Sequence, residues 1–438
     1  MTSVSLEDWS GHALDAAGNE RLIRAVLFLA IFFQLWLTAN PFADLSDPKT
    51  LQPDAEGNLI SQVIAVVLTG TLAGFAVAKR LRLVLAAITP ILILTFVWFA
   101  ISAVLSLHAG LAARRVVLAT FVIFQAAMFL LLPQDRNHFV RLLTFGSLVV
   151  LALCYGGVVF APGLSIHQST DIAEPQLAGN WRGFFAHKNG AGAGMALLVI
   201  SGLYIFRAFS HVLGALIVAL AIVFLVFTES KSPMMLLPLA LVFSVALVRL
   251  RSRFLKFITA FSVPAIICFL TIGSVASEAI YGVVERLMSD PTFTGRNDIW
   301  EFTLDHIMQR PLVGFGYQAF WGTAELVNSW TWTESWGYRA SDAHNGYLNI
   351  AVMTGLVGLA LALGWAFVQP FRDHLRTVAI RVDPALNLMF VQIWLFGLYL
   401  SGFESELFNN GSVVWFMTAA AIIGLRFQTT AEYAGETA

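Results

Sequence analysis

Arg296 and His344 stand in a polar stretch, Thr294 to Gly358, of a chain that is otherwise strongly apolar. The stretch opens Thr294-Gly295-Arg296-Asn297-Asp298-Ile299-Trp300. It continues to Arg310-Pro311-Leu312-Val313-Gly314-Phe315-Gly316 and returns at His344-Asn345, with nine residues before Gly355. A guanidinium keeps its charge and grips two phosphate oxygens at once. An imidazole titrates near neutrality and accepts a proton from a hydroxyl. Together they suit transfer of a group from a phosphate leaving group to an alcohol. Each residue also has a plainer reading. Arg296 can pair with Asp298 or Glu301 or lie among lipid headgroups, and a lone His at an interface is often structural.

Other residues carry chemistry nearby. Asp298, Glu301 and Asp305 fall on one side of a helix and read either as a solvated face or as hard oxygen donors for a divalent metal. No His/Cys spacing elsewhere supports a metal. Trp321, Trp330, Trp332, Trp336 and Tyr338 form either an interfacial belt or platforms for a sugar face. Arg339 and Asp342 either orient His344 or pair with each other. A second polar run, Asn180-Trp181-Arg182-Gly183-Phe184-Phe185-Ala186-His187-Lys188-Asn189-Gly190, holds Arg182, His187 and Lys188. Lys231 follows in a short turn. Four cations, Arg182, Lys188, Lys231 and Arg296, would match a pyrophosphate; ordinary headgroup anchoring is the alternative for each. Glu404 and Glu406 either pair with these cations or contact an acceptor sugar. Gly190, Gly192 and Gly194 follow no strand and imply helix packing, with no dinucleotide fold.

The elements that position these groups are helical. Ile299, Phe302, Thr303, His306 and Ile307 have the spacing of one helix face, which predicts a helix over 294–310 with Thr294 as N-cap and Pro311 as its stop. Asn345 is the expected cap of the next membrane helix. If that helix is continuous, Gly355 lies under His344 on the same face, about 16 Å deeper. Gly355 and Gly358 then permit close approach of a neighbour.

Of the 438 residues 58% are hydrophobic and 12% charged, against about 25% charged in soluble domains. Mean hydropathy is +0.75. The expectation is a single all-α polytopic membrane protein, residues 1–438, with twelve spans near 22–40, 59–78, 83–107, 116–132, 139–160, 189–207, 211–228, 234–250, 255–276, 346–368, 385–403 and 412–426. Pro90, Pro238 and Pro264 predict kinks inside spans. The acidic first twenty residues do not resemble a signal peptide, so the first span is expected to remain as an anchor. Cys154 and Cys268 lie in apolar spans, without sign of a disulfide. A net charge of -1 gives no basic field for nucleic acid.

Sixteen of the 26 basic residues fall on one side if the N-terminus is cytoplasmic. The positive-inside rule then puts both termini inside and the two long connections, 161–188 and 277–345, outside. Arg114-Arg115 is a local exception. A site on the outer face has no cytosolic nucleotide, so an activated substrate arrives on a lipid carrier or already exported.

The motifs from Thr294 to Gly355 resemble the O-antigen ligase / Wzy polymerase superfamily, and Trp181 to Asn189 looks like its ExoQ-like exopolysaccharide polymerases. Lys188 stands where the family usually has a proline, a departure that favours the polymerase branch and leaves open which cation there takes the ligand role. The resemblance covers about 180–360. It implies a metal-independent glycosyltransferase of the GT-C type in the bacterial inner membrane, without a cofactor. Its partners would be a polyprenyl-diphosphate-linked oligosaccharide donor, a glycan acceptor, the bilayer, and chain-length-regulating and export proteins. By that resemblance Arg296 and the Arg182/Lys188 group bind diphosphate, and His344, supported by His187, Asn345 and Arg339, prepares the acceptor. Three functions compete: a repeat-unit polymerase, a ligase moving a finished glycan to lipid A-core, and a transporter or flippase of lipid-linked sugars. Alternating access needs polar sites near the midplane, and the spans here are nearly free of charge.

Overall fold

A computed structural model describes residues 6–37, 40–48, 59–323, 340–377 and 382–430, with backbone only for 6–17. The described residues form an all-helical bundle without strands, apart from one isolated bridge between Ile166 and Trp181. Its helices are α1 (Leu6–Trp36), α2 (Leu59–Lys79), α3 (Leu81–Ala87), α4 (Pro90–Val104), α5 (Ala109–Leu131), α6 (Arg136–Phe160), α7 (Lys188–Ala208), α8 (His211–Thr228), α9 (Lys231–Arg249), α10 (Arg253–Ala276), α11 (Glu278–Leu287), α12 (Arg296–Gln309), α13 (Gly346–Leu363), α14 (Gln369–Thr377), α15 (Pro384–Leu400) and α16 (Val413–Phe427).

Among the described residues eight helices are long and apolar enough to cross a membrane, with α13 and α14 counted as one run; the bent pair α3 and α4 would make nine. Twelve spans were expected; the expected 22–40 falls in α1 (Leu6–Trp36), which is not among the eight, and two causes account for the other three. The predicted span at 83–107 is not one helix. Ile88 and Thr89 are extended, Pro90 begins a new helix, and the two pieces meet at 71°. Proline lacks the amide that would continue the ladder and constrains the residue before it. The last two spans are short, at 17 and 15 residues. The shorter rises only about 22 Å, against about 30 Å of hydrocarbon. Their side chains are buried on almost every side, as expected of central helices that are apolar all round. α15 packs against α7, α9 and α16, and α16 against α5.

α13 departs from the expected continuous helix. Gly355 has φ 72 and ψ 176 and breaks it. A Cβ there would lie 1.9 Å from the Leu312 carbonyl oxygen, so only glycine fits both the conformation and the approach. The freed backbone groups are taken by the Arg310–Gly316 loop. Phe315 N donates to Val352 O (3.0 Å), Gly316 N to Met353 O (2.8 Å), and Leu356 N to Pro311 O (2.8 Å). Ser102 Oγ from α4 adds bonds to Val313 O (2.7 Å) and Met353 O (2.9 Å). A helix break at membrane depth is stable when protein satisfies its backbone, and the Arg310-Pro311 to Gly316 motif supplies that cover.

Candidate active site

α12 begins one residue later than expected. Gly295, in the left-handed region, takes the cap position, and Thr294 is held outside the helix by its amide donating to Asp290 Oδ2 (2.8 Å). The helix stops at Gln309, before Pro311. Ile299, Trp300, Thr303 and Ile307 are buried, and Trp300 Nε1 donates to Ala343 O (3.0 Å). This buried face anchors α12 beside the His344 turn and leaves Arg296 in the first turn. Asp298, Glu301 and Asp305 make no joint site; no group of three His, Cys, Asp or Glu among the described residues can hold a metal.

Asn345 caps α13 as expected, accepting from Tyr347 N (3.0 Å) and Leu348 N (3.1 Å). It also donates to Gly402 O (3.1 Å), while Gly346 N donates to Ser401 O (2.7 Å). These bonds fasten the loop after α15 to the start of α13, and so bring Glu404 against His344. His344 itself has φ 45, a conformation rare for a bulky residue. Its amide donates to Asp342 Oδ1 (2.7 Å).

Glu404 is the node of the site. Its Oε1 accepts from Arg296 Nη2 (3.0 Å) and Asn189 Nδ2 (3.1 Å), and its Oε2 lies 3.4 Å from His344 Nδ1. Arg296 Nη1 also donates to Phe403 O. Neither Asp298 nor Glu301 is the partner of Arg296. The Glu404 side chain is only 13% exposed. Burial opposes its charge, but the His344 hydrogen bond and the Arg296 charge hold its carboxyl below the usual range. Burial likewise works against a charged His344; the Glu404 bond and the Asp342 charge outweigh it and raise its pKa. With Nδ1 turned to Glu404, Nε2 is the ring atom left for a substrate hydroxyl.

A third wall comes from the start of α7. Asn189 Oδ1 accepts from Ser230 Oγ (3.1 Å), which ties α7 to the turn before α9. Lys188 Nζ donates to Glu229 O (3.4 Å), and its charge is close enough to feel that of exposed Lys231. His187 Nδ1 accepts from Asn189 N (3.1 Å) and so directs Nε2–H to Glu174 Oε2 (2.8 Å). The hydrogen bond from His187 lowers the Glu174 pKa, with further help from His167 and His344. The His344 and His187 rings therefore both lie close enough to Glu174 to favour its charge. His167 pairs with Asp171 (2.8 Å) and accepts from Lys188 N (3.3 Å).

Arg182 makes no hydrogen bond or ion pair to Glu404, Arg296 or His344, although its charge is close enough to act on His167. It is 1% exposed and donates to Ala43 O (2.6 Å) and Phe185 O (3.0 Å). These bonds clamp its loop to the connection between α1 and α2. Arg339, Trp330, Trp332, Trp336 and Tyr338 lie outside the described residues. Trp321 is described, and its Nε1 donates to Asn349 Oδ1 (2.7 Å). Reading the sequence left the role of Glu404 undecided and missed Glu174 altogether. The signal for Glu404 was a carboxylate in a short loop between two buried helices; nothing local distinguished it from Glu406.

Residues 216–363 match the profile of a family described as O-antigen ligase. The match encloses Arg296 and His344, while Asn189 and Glu404 lie beyond its two ends. Over 152 residues the chain is 33% identical to the exopolysaccharide production protein ExoQ of Rhizobium meliloti (strain 1021). That alignment spans 34% of this chain and 34% of the relative, about a third of each. The motif spacing, the family match over 216–363 and the ExoQ similarity agree in pointing to the O-antigen ligase / Wzy polymerase superfamily and its ExoQ-like branch.

Proposed function

We propose that the protein is a membrane glycosyltransferase that moves a glycan from a polyprenyl diphosphate to a sugar hydroxyl on the periplasmic face of the inner membrane, polymerising exopolysaccharide repeat units. The observation that carries this reading is the sharing of one buried carboxylate, Glu404, by Arg296 and His344. Glycosyl transfer builds negative charge on the departing diphosphate, and a fixed cation stabilises that charge most in the transition state. Arg296 supplies the cation, with Lys188 and Lys231 on the neighbouring helix starts. His344 Nε2 receives the proton of the attacking hydroxyl, and Glu404 orients the ring and supports the imidazolium. Direct attack by the hydroxyl inverts the anomeric centre; retained configuration in the product of purified protein excludes it.

The second reading, a ligase that passes a finished glycan to lipid A-core, draws on the description of the matched family. Surface glycan length separates the two. A deletion strain that accumulates single repeats without long chains supports polymerisation. Long carrier-linked chains that never reach their acceptor support ligation. Unchanged glycan in both pools would overturn both readings.

A further inference from the structure

At the end of the bundle opposite Glu404, a cavity of about 420 Å³ is lined by residues of three segments, a size suited to a small ligand. α4 contributes its first turn. Thr89 spends its hydroxyl on Gln369 Oε1 (2.7 Å), so no side chain caps α4. Its first amides, those of Ile91 and Leu92, precede the first bond of the helix, Ile93 N to Thr89 O (3.0 Å), just after the 71° bend. Gly364 and Val368, also in the lining, belong to a π-helical turn between α13 and α14, a distortion frequent at functional sites.

The charges are arranged around this opening. Arg372 is exposed and has no partner among the described residues. Arg376 and Arg426 both reach Asp373 Oδ1, at 3.7 and 3.4 Å. Asp373 is 2% exposed, yet its Oδ2, beside the Gln369 amide, completes no hydrogen bond among the described residues. A buried carboxylate oxygen left without a donor is costly, and it lines a cavity whose rim is cationic. Pro90, Ile91 and Val368 make an apolar wall, and Val368 is 50% exposed on the outside of the bundle.

We propose that this cavity binds the headgroup of a membrane phospholipid bearing a primary ammonium: the phosphodiester against Arg372, Arg376 and the first turn of α4, the ammonium on Asp373 Oδ2, and the acyl chains along Val368. Helix N-termini and arginines both favour a phosphate, and an ammonium donor satisfies Asp373 Oδ2, which Arg376 and Arg426 leave without a donor. The site is independent of the glycan chemistry at the other end.

The test is native mass spectrometry of the full-length protein in detergent with added phosphatidylethanolamine, phosphatidylglycerol or chainless glycerophosphoethanolamine. Wild type is expected to retain one phosphatidylethanolamine. Arg372→Glu, which disturbs no contact among the described residues, is expected to lower its occupancy at least about tenfold. Asp373→Asn is expected to abolish the preference for phosphatidylethanolamine over phosphatidylglycerol while phosphatidylglycerol still binds. Equal retention by wild type and Arg372→Glu overturns the proposal. Binding of glycerophosphoethanolamine as tightly as the lipid overturns the lipid assignment in favour of a free phosphate ester. Should Asp373→Asn not fold, the wild-type preference between the two lipids decides the ammonium contact by itself.

Discussion

One carboxylate sets the electrostatics of the candidate site. Glu404 neutralises part of the Arg296 charge, fixes the imidazole of His344 and holds the first turn of α7 through Asn189. Because Glu404 raises the His344 pKa, Glu404→Gln lowers it. A base acts when deprotonated, so the acid limb of the pH–rate profile shifts to lower pH in this variant, with a slower plateau. An unshifted limb assigns the proton transfer to another group. Glu406, two residues on, behaves differently. Burial raises its carboxyl to about 7, and the hydroxyl of Ser412 compensates only in part. A carboxyl raised in the folded state favours folding when protonated, and its contribution is lost as pH climbs from the unfolded value of about 4.3 through about 7. Glu406→Gln removes that loss. Its melting temperature relative to wild type therefore rises from pH 5 to pH 8, and a pH-independent difference would contradict the assignment.

At the scale of elements, the family motif Arg310-Pro311 to Gly316 acts through its backbone. It covers the break in α13 at Gly355 by pairing with the backbone groups on both sides of it. Gly355→Ala places a Cβ against Leu312 O in a backbone region unfavourable to L residues. The backbone must shift to relieve it, at a cost of about 2 kcal/mol or more. A lower melting midpoint in detergent checks this; an unchanged midpoint shows that the loop moves away freely. Arg182 belongs to this scale as well, since its hydrogen bonds join the loop that presents His187, at Phe185 O, to the connection between α1 and α2, at Ala43 O.

For the whole molecule, the decisive feature is that four separate connections converge at one end of the bundle. They are the α7 start, the α12 start, the α13 start and the loop between α15 and α16. Loss of the cation or of the imidazole is then expected to stop product formation while membrane insertion persists. Arg296→Ala should slow transfer about 10²–10³-fold and His344→Ala about 10²–10⁴-fold, measured as long-chain glycan per protein in the membrane fraction. Full activity in either variant removes that residue from the mechanism.

The amino-acid sequence by itself determined the class. Most apolar runs of about twenty residues fold as membrane-length helices, and Asn345 and Pro311 bound helices through local backbone chemistry. The types and spacing of Arg296 and His344 pointed to a candidate site. Tertiary structure alone decided what these residues face. Glu404 meets Arg296 and Asn189 across more than a hundred positions of chain, and Asp298 and Glu301, the partners nearest in sequence, turn elsewhere. Whether Pro90 kinks a span or divides it, and whether Gly355 lies within a helix or breaks one, likewise depends on which distant backbone satisfies the freed hydrogen bonds. Local propensity carries no record of such long-range partners.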